Sequence, residues 1–138
     1  MKRRTDPTDP TDPLTWLARA RSNLKIAESG SDWPGVFLED LCFDAQQAAE
    51  KALKAVCVHH ALDFPKTHSL VILMDILESA SLEVPPEVKA ADGLTSYAVQ
   101  ARYPGWGEDV TEGEYQRTLE LARRVVSWAS GILGGEEP

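Results

Sequence analysis

The segment from Val36 to Ala61 constrains the fold most, because it has the pattern of one long helix with an alanine-lined face. At about 100° per residue, its small and aliphatic side chains point within about 60° of one direction. These residues are Leu38, Leu41, Cys42, Ala45, Ala48, Ala49, Ala52 and Val56. Alanines on this face would let a neighbouring helix approach closely. The pattern predicts that this face lies in the core of an all-α protein.

Four further segments carry helix signals, at residues 13–28, 68–80, 87–101 and 112–133. Asp12 before Pro13 predicts the start of the first helix, and Thr111 with Glu114 forms a capping-box pattern for the last. Thr67 is the predicted cap of the third helix, which is apolar nearly all round and is therefore expected to be central. Sustained strand alternation is absent from the sequence. We predict an up-and-down bundle of four or five helices over residues 13–134.

Both ends of the chain are predicted to be tails. Thr5–Pro13 repeats the tripeptide Thr-Asp-Pro, and each proline favours an extended backbone before it. Residues 1–12 are therefore interpreted as an extended, flexible tail, with a binding role as the alternative. Residues 135–138 form an acidic C-terminal tail.

Composition excludes several classes of protein. No apolar run approaches the ~20 residues of a membrane span, and the N-terminus lacks the apolar stretch of a secretory signal, so a cytoplasmic location is expected. Cys42 and Cys57 would lie about 22 Å apart on one helix, too far to pair. Clustered Cys and His ligands are lacking, so neither a metal site nor a cofactor is predicted. The net charge of −8 disfavours a broad nucleic-acid surface but allows a small basic cleft.

The side of helix 2 opposite its alanines carries Phe43, Gln47, Glu50 and Lys54, with Gln46 beside them. One interpretation is a solvated face, stabilised by the ion pair between Glu50 and Lys54 four residues apart. The others are packing against another helix of the chain and contact with a second subunit or ligand. Phe43 favours the last two, because a ring left in water forfeits about 2 kcal/mol of burial.

Three motifs, followed by an amphipathic helix, resemble the HEPN domain family. In order they are FDAQQAAEKALKAV at Phe43–Val56, KTHSL at Lys66–Leu70 and ARYPGW at Ala101–Trp106. The resemblance covers about Leu14 to Leu133 and implies a helical bundle that forms a homodimer. It also implies association with nucleotides or RNA, and a minimal nucleotidyltransferase as partner in a toxin–antitoxin-like pair.

The chain departs from the RNase-active members of that family. Those members carry an arginine followed, after four to six residues, by a histidine. No histidine of this chain lies five to seven positions after an arginine. The QQxxEK and RYP signatures resemble a subgroup in which this motif is often lacking, so the sequence leaves open whether the protein is an enzyme.

The predicted ligand or interface residues are Phe43, Gln46, Gln47, Glu50, Lys51, Lys54, His68, Arg102 and Tyr103. His68, expected in the first turn of helix 3, is either a neutral base or a structural hydrogen-bonding group. Arg102 either pairs with an acid or binds a phosphate. Tyr103 either stacks on a base or anchors its loop.

Three functional hypotheses follow. The first is an interaction module that forms a homodimer, binds nucleotide or RNA and works with a nucleotidyltransferase. The second is a metal-independent RNase in which His68 and Arg102, the two candidate catalytic residues, converge in space. The third is a purely structural dimerisation domain.

Overall fold

The computed structural model describes residues 6–97 and 109–134, and the regular structure within these ranges is helical. The helices are α1 (Pro13–Ser29), α2 (Leu38–His59), α3 (Leu70–Ser79), α4 (Pro86–Lys89) and α5 (Glu112–Leu133), with 3-10 turns at Gly30–Asp32 and Ala90–Ser96. The predicted all-α helical bundle is thus confirmed. None of the described helices combines the length and the apolar character that a membrane crossing requires.

Local capping signals set the ends of the two helices that were predicted from them. The side chain of Asp12 accepts a hydrogen bond from the backbone of Leu14 at the start of α1. Thr111 and Glu114 form the predicted capping box at the start of α5, and Gly134, with φ of 70°, ends that helix in the left-handed conformation.

Helix α2 is the central element, because it packs against α1, α3 and α5. More than half of its 22 residues are buried, including the predicted alanine face except for Leu38, which is half-buried. Two pairs of contacts, Glu28 with Arg123 and Arg21 with Ser130, show that α1 and α5 are antiparallel. Because α2 is enclosed by three helices, it has no fully solvated side.

Helix α3 differs from the prediction of an apolar, central helix. Its buried residues lie on one side and are Leu70, Leu73, Met74 and Leu77. Val71 and Ile72 in its first turn remain 45% and 42% exposed. The cap is Ser69, whose side chain accepts from the backbone of Ile72, rather than Thr67. The prediction was wrong because α3 packs on the outside of α2, so only one of its sides meets the core.

The fourth predicted helix is also shorter than expected. Regular α-helix stops at Lys89, and a 3-10 segment continues to Ser96. The hydroxyls of Thr95 and Ser96 donate to the carbonyls of Asp92 and Gly93, three residues before them. Such side-chain bonds compete with α-helical hydrogen bonding, which a periodicity argument does not include. The predicted continuation to residue 101 extends beyond the described residues.

The described part of the Thr-Asp-Pro repeat forms turns rather than the predicted extended chain. Asp6 accepts from both the backbone N–H and the hydroxyl of Thr8, and Asp9 does the same with Thr11. An aspartate side chain commonly closes a turn in this way, by accepting a hydrogen bond from the backbone of the residue two positions later. The flexibility of this tail stays a prediction.

The same turns lie against α1. The carbonyl of Pro7 accepts from the guanidinium of Arg19 at 2.6 and 2.8 Å. The carbonyl of Pro10 accepts from the indole N–H of Trp16 at 2.9 Å. The repeat thus contacts the side of α1 that carries Trp16.

Both cysteines of α2 are fully buried and neither forms a disulfide. Burial raises the pKa of the Cys42 thiol, and likewise that of Cys57, to about 11. The thiols therefore stay protonated at neutral pH and behave as small core side chains.

The close packing of α2 predicts that enlarging one of its alanines destabilises the protein. Ala48 is fully buried, so Ala48→Leu should lower the free energy of unfolding by about 1–3 kcal/mol through overpacking. Ala18 on α1 is exposed, so Ala18→Leu is the matched control and should change it by less than about 0.5 kcal/mol. Urea unfolding measures both, and equal stability of the two variants would contradict the enclosed position of α2.

Candidate functional site

The polar residues on the side of α2 opposite its alanines lie inside the protein. Gln46 is fully buried, and Glu50 and Lys54 are only 3% and 8% exposed. The interpretation of a solvated face is therefore wrong, and these side chains pack within the chain. The physical reason is that α1 and the segment leading into α3 cover the side of α2 that helical periodicity places opposite the alanines.

The carboxylate of Glu50 is the centre of this polar network. Its Oε2 accepts from Nζ of Lys54 at 2.9 Å, and its Oε1 lies 2.8 Å from Nδ1 of His68. Oε1 also accepts from Nε2 of Gln46 at 3.2 Å. Nε2 of Gln47 lies 3.4 Å from the same Oε1 and is a fourth donor. Four donors on one buried carboxylate satisfy the requirement that a charge in the interior be paired and hydrogen-bonded.

The two adjacent glutamines hold the network in place. Nε2 of Gln46 donates to the backbone carbonyl of His68 at 3.1 Å as well as to Glu50, and its Oε1 accepts from Nε2 of Gln47 at 2.7 Å. Gln46 therefore ties α2 to the segment just before α3 through the backbone of His68. The assignment of Gln46 and Gln47 to a ligand site or interface stays a prediction.

Hydrogen bonding keeps Glu50 ionised. Burial by itself would raise the pKa of this carboxyl, but the hydrogen bonds from Lys54, His68 and Gln46 outweigh burial and hold the pKa below 4.5, its ordinary value. The network therefore has a fixed negative charge at its centre at neutral pH.

Lys54 is enclosed by two aromatic rings that the sequence analysis did not single out. Its Nζ lies 5.6 Å from the ring centroid of Trp16 and 5.5 Å from that of Phe64. The two rings meet edge to face with centroids 6.0 Å apart. Both faces attract the ammonium group, which adds to its pairing with Glu50. No local signal links these residues, because they come from three separate parts of the chain.

His68 is where the network reaches solvent, since its side chain is 49% exposed. An ionised carboxylate only accepts, so Nδ1 of His68 is the donor to Glu50, and Nε2 is the ring nitrogen left for another partner. His68 precedes the cap Ser69, so it does not lie in the first turn of α3 as predicted. Its hydrogen bond to Glu50 fixes which ring nitrogen faces inward.

Lys51 lies next to the network and joins a second set of contacts. Its Nζ donates to Oδ1 of Asn23 at 2.8 Å, and Nδ2 of Asn23 donates to Asp44 at 3.1 Å. Burial lowers the pKa of Lys51 and raises that of Asp44. The predicted site residue Lys51 thus links α2 to α1 instead of joining His68.

Of the other predicted site residues, Phe43 is half-buried. Arg102 and Tyr103 lie outside the described residues. The predicted proximity of Arg102 to His68 therefore stays a prediction.

The arrangement offers one accessible chemical group. Glu50 is saturated with donors and Lys54 is enclosed, whereas Nε2 of His68 can accept a proton or a hydrogen bond from a bound molecule. Within residues 6–97 and 109–134, no three His, Cys, Asp or Glu side chains cluster in a way that could hold a metal ion. The described chemistry of this site is that of a histidine oriented by a carboxylate.

The network predicts that neutralising Glu50 is costly. Glu50→Gln leaves the ammonium of Lys54 buried without its counter-charge and should lower the free energy of unfolding by about 3–5 kcal/mol. The double variant Glu50→Gln/Lys54→Met should recover a large part of that loss. As a control, Glu78→Gln breaks an exposed ion pair with Lys89 and should cost less than about 1 kcal/mol. Similar losses in Glu50→Gln and Glu78→Gln would contradict a buried network.

The lowered pKa of Glu50 predicts a pH dependence. Because the folded state holds this pKa below 4.5, the carboxylate contributes stability that is fully present above pH 4.5 and is lost as the pH falls through the folded-state value. The stability gap between the wild type and Glu50→Gln should therefore be constant above that pH and narrow below it. Urea unfolding over a pH series measures the gap, and a gap that widens in acid would contradict the assignment.

Comparison with known proteins identifies the family. A family model described as the HEPN domain matches residues 14–132, which is most of the chain. Neither the curated proteins nor the solved structures yielded a match. The match begins and ends within one residue of the range in which the sequence motifs resemble this family. The chain belongs to the HEPN domain family.

Proposed function

We propose that this HEPN domain is a homodimeric module that binds nucleotide or RNA through the exposed edge of His68. Membership of the family associates the chain, in general terms, with nucleotides and RNA. The observation that carries the proposal is the orientation of His68: a saturated, buried carboxylate fixes its Nδ1 and presents Nε2 to solvent.

The energetics favour a functional role for this edge. Burying Glu50 and Lys54 costs free energy that a hydrophobic pair of similar size would avoid. A purely structural network could close on itself, whereas this one ends at a side chain that is half exposed. A role in fixing the ring of His68 for a ligand would account for the free-energy cost of burying Glu50 and Lys54.

An apolar surface beside His68 supports the proposed homodimer. Val71 and Ile72, three and four residues further along, are both more than 40% exposed in the first turn of α3. A second copy that covers them would place its own chain next to His68 and recover the burial that these side chains lack. A monomeric mass in solution at micromolar concentration would contradict the dimer.

The wider setting is part of the proposal. The module works in the cytoplasm with a minimal nucleotidyltransferase, in a toxin–antitoxin-like system. The proposal rests on the family, whose members often occur beside such an enzyme. Co-expression with a neighbouring nucleotidyltransferase should yield a complex, and failure to co-purify would contradict this partner.

Titration of the purified protein with ADP and with a short single-stranded RNA tests the ligand. His68→Asn should weaken binding about tenfold, the effect of losing one good hydrogen bond to a ligand. His60→Asn is the matched control, because His60 is an exposed histidine at the C-terminal end of α2. Unchanged binding in His68→Asn would remove His68 from the site, and a change only in stability would support the purely structural dimer.

One observation favours a second candidate function, metal-independent RNA cleavage. A histidine held by a carboxylate through Nδ1, with Nε2 open, is the usual arrangement of a general base. Incubation of the same proteins with RNA in the presence of a chelator separates the two functions. Cleavage that disappears in His68→Asn and survives in His60→Asn would establish the RNase; intact RNA in the wild type would exclude it.

A further inference from the structure

The side of α1 that faces α5 carries a feature that the His68 site does not use. Glu28 meets Arg123 and Arg21 meets Ser130, and between these contacts lies a depression of about 490 Å³. A second depression of about 450 Å³ lies on the other side of α5, against α4. Arg123 and Ser127 line both, so the two depressions adjoin at α5; together they are here called the basic groove.

The basic groove concentrates positive charge on an acidic chain. Its lining includes four cationic side chains and two anionic ones. They are Arg21, Lys25, Arg123 and Arg124, with Glu28 and Glu87. The chain as a whole has a net charge of −8. A positive lining on such a chain attracts anions locally, because the field in a cleft depends on the arrangement of charges and not on their total.

Three of the groove's four cations, Lys25, Arg123 and Arg124, are at most weakly paired within the described residues, whereas Arg21 donates to Ser130. The ion pair of Arg123 with Glu28 is exposed, and in that of Arg124 with Glu120 the arginine is half-buried and the glutamate exposed. Solvent-exposed pairs contribute about 0–1 kcal/mol. Within the described residues Lys25 makes no ion pair. An arginine in a weak exposed pair can exchange its carboxylate for a phosphate, which its planar fork matches equally well.

The groove also has an aromatic wall. Trp128 is half-buried and lines the depression on the α4 side, one helical turn after Arg124. Leu24 and Val126 line the depression on the α1 side. A flat ring beside arginines suits a ligand that combines a base with phosphates, because the base can stack while the phosphates pair.

We propose that the basic groove binds the phosphates of a nucleotide or of a short RNA strand, with Arg123 at its centre. The proposal deepens the proposed association with nucleotides or RNA, on which its choice of ligand rests. The groove is separate from the His68 site. Trp16 and Asn23 point toward the α2 network, whereas Lys25 and Glu28 lie on roughly the opposite side of α1.

Fluorescence anisotropy with a labelled single-stranded RNA of about ten nucleotides tests the proposal at low salt. Lys25→Gln and Arg123→Gln should each weaken binding about tenfold, and each should reduce the slope of log affinity against log salt by about 0.7. Arg117→Gln is the matched control on the same helix. It removes the same charge from an exposed side chain outside the groove and should change affinity less than about twofold.

Separate arms distinguish the source of the phosphate. ADP binding that is lost in Arg123→Gln would identify a nucleotide ligand, and binding of RNA alone would identify a strand. Polyglutamate that competes as well as RNA would overturn the proposal, because the groove would then attract any polyanion. Lys25→Gln removes no ion pair, so it keeps the test valid if Arg123→Gln fails to fold.

His68→Asn separates this proposal from the proposed function. Loss of RNA binding in His68→Asn, with Lys25→Gln and Arg123→Gln unchanged, would overturn the groove and leave the His68 site standing. Equal effects of Lys25→Gln and Arg117→Gln would also overturn it. A wild type that binds neither ADP nor RNA would overturn both proposals together.

Discussion

A buried carboxylate must be surrounded by donors, and the arrangement of this protein around α2 follows from that requirement at Glu50. Lys54 comes from the same helix one turn later, whereas His68 comes from the chain just before α3. Gln46 then secures the backbone of that chain. The electrostatic need of one side chain thus fixes where α3 begins relative to α2, and it determines which nitrogen of His68 faces outward.

The network extends beyond the ions themselves. Trp16 covers Lys54 with its ring and donates its indole N–H to the Pro10 carbonyl, so the Thr-Asp-Pro repeat is connected to the buried charges through one side chain. On the far side of α1, Arg21 and Lys25 line the basic groove together with Glu28. Helix α1 therefore separates a saturated polar interior from a surface whose cations are only weakly paired.

The sequence predicts the parts of this structure that depend on residues close together along the chain. Asp12, Thr111 and Gly134 specify helix ends within a few positions of themselves, so α1 and α5 could be predicted well. The alanine face of α2 was equally clear. The burial of Glu50 could not be predicted, because periodicity shows which residues share a side of a helix but not how many neighbours enclose it. Trp16 and Phe64 carry no local signal for the same reason. Thr67 and Ser69 stand on either side of His68 and offer similar caps, which the sequence does not distinguish.

The two cysteines have a practical consequence. Cys42 and Cys57 lie in the most enclosed helix and are protonated at neutral pH, so a thiol-modifying reagent cannot reach or react with them while the bundle is closed. Their rate of alkylation therefore reports how often α2 is exposed to solvent. The native cysteines thus allow the rate at which the core opens to be measured without introducing a probe residue.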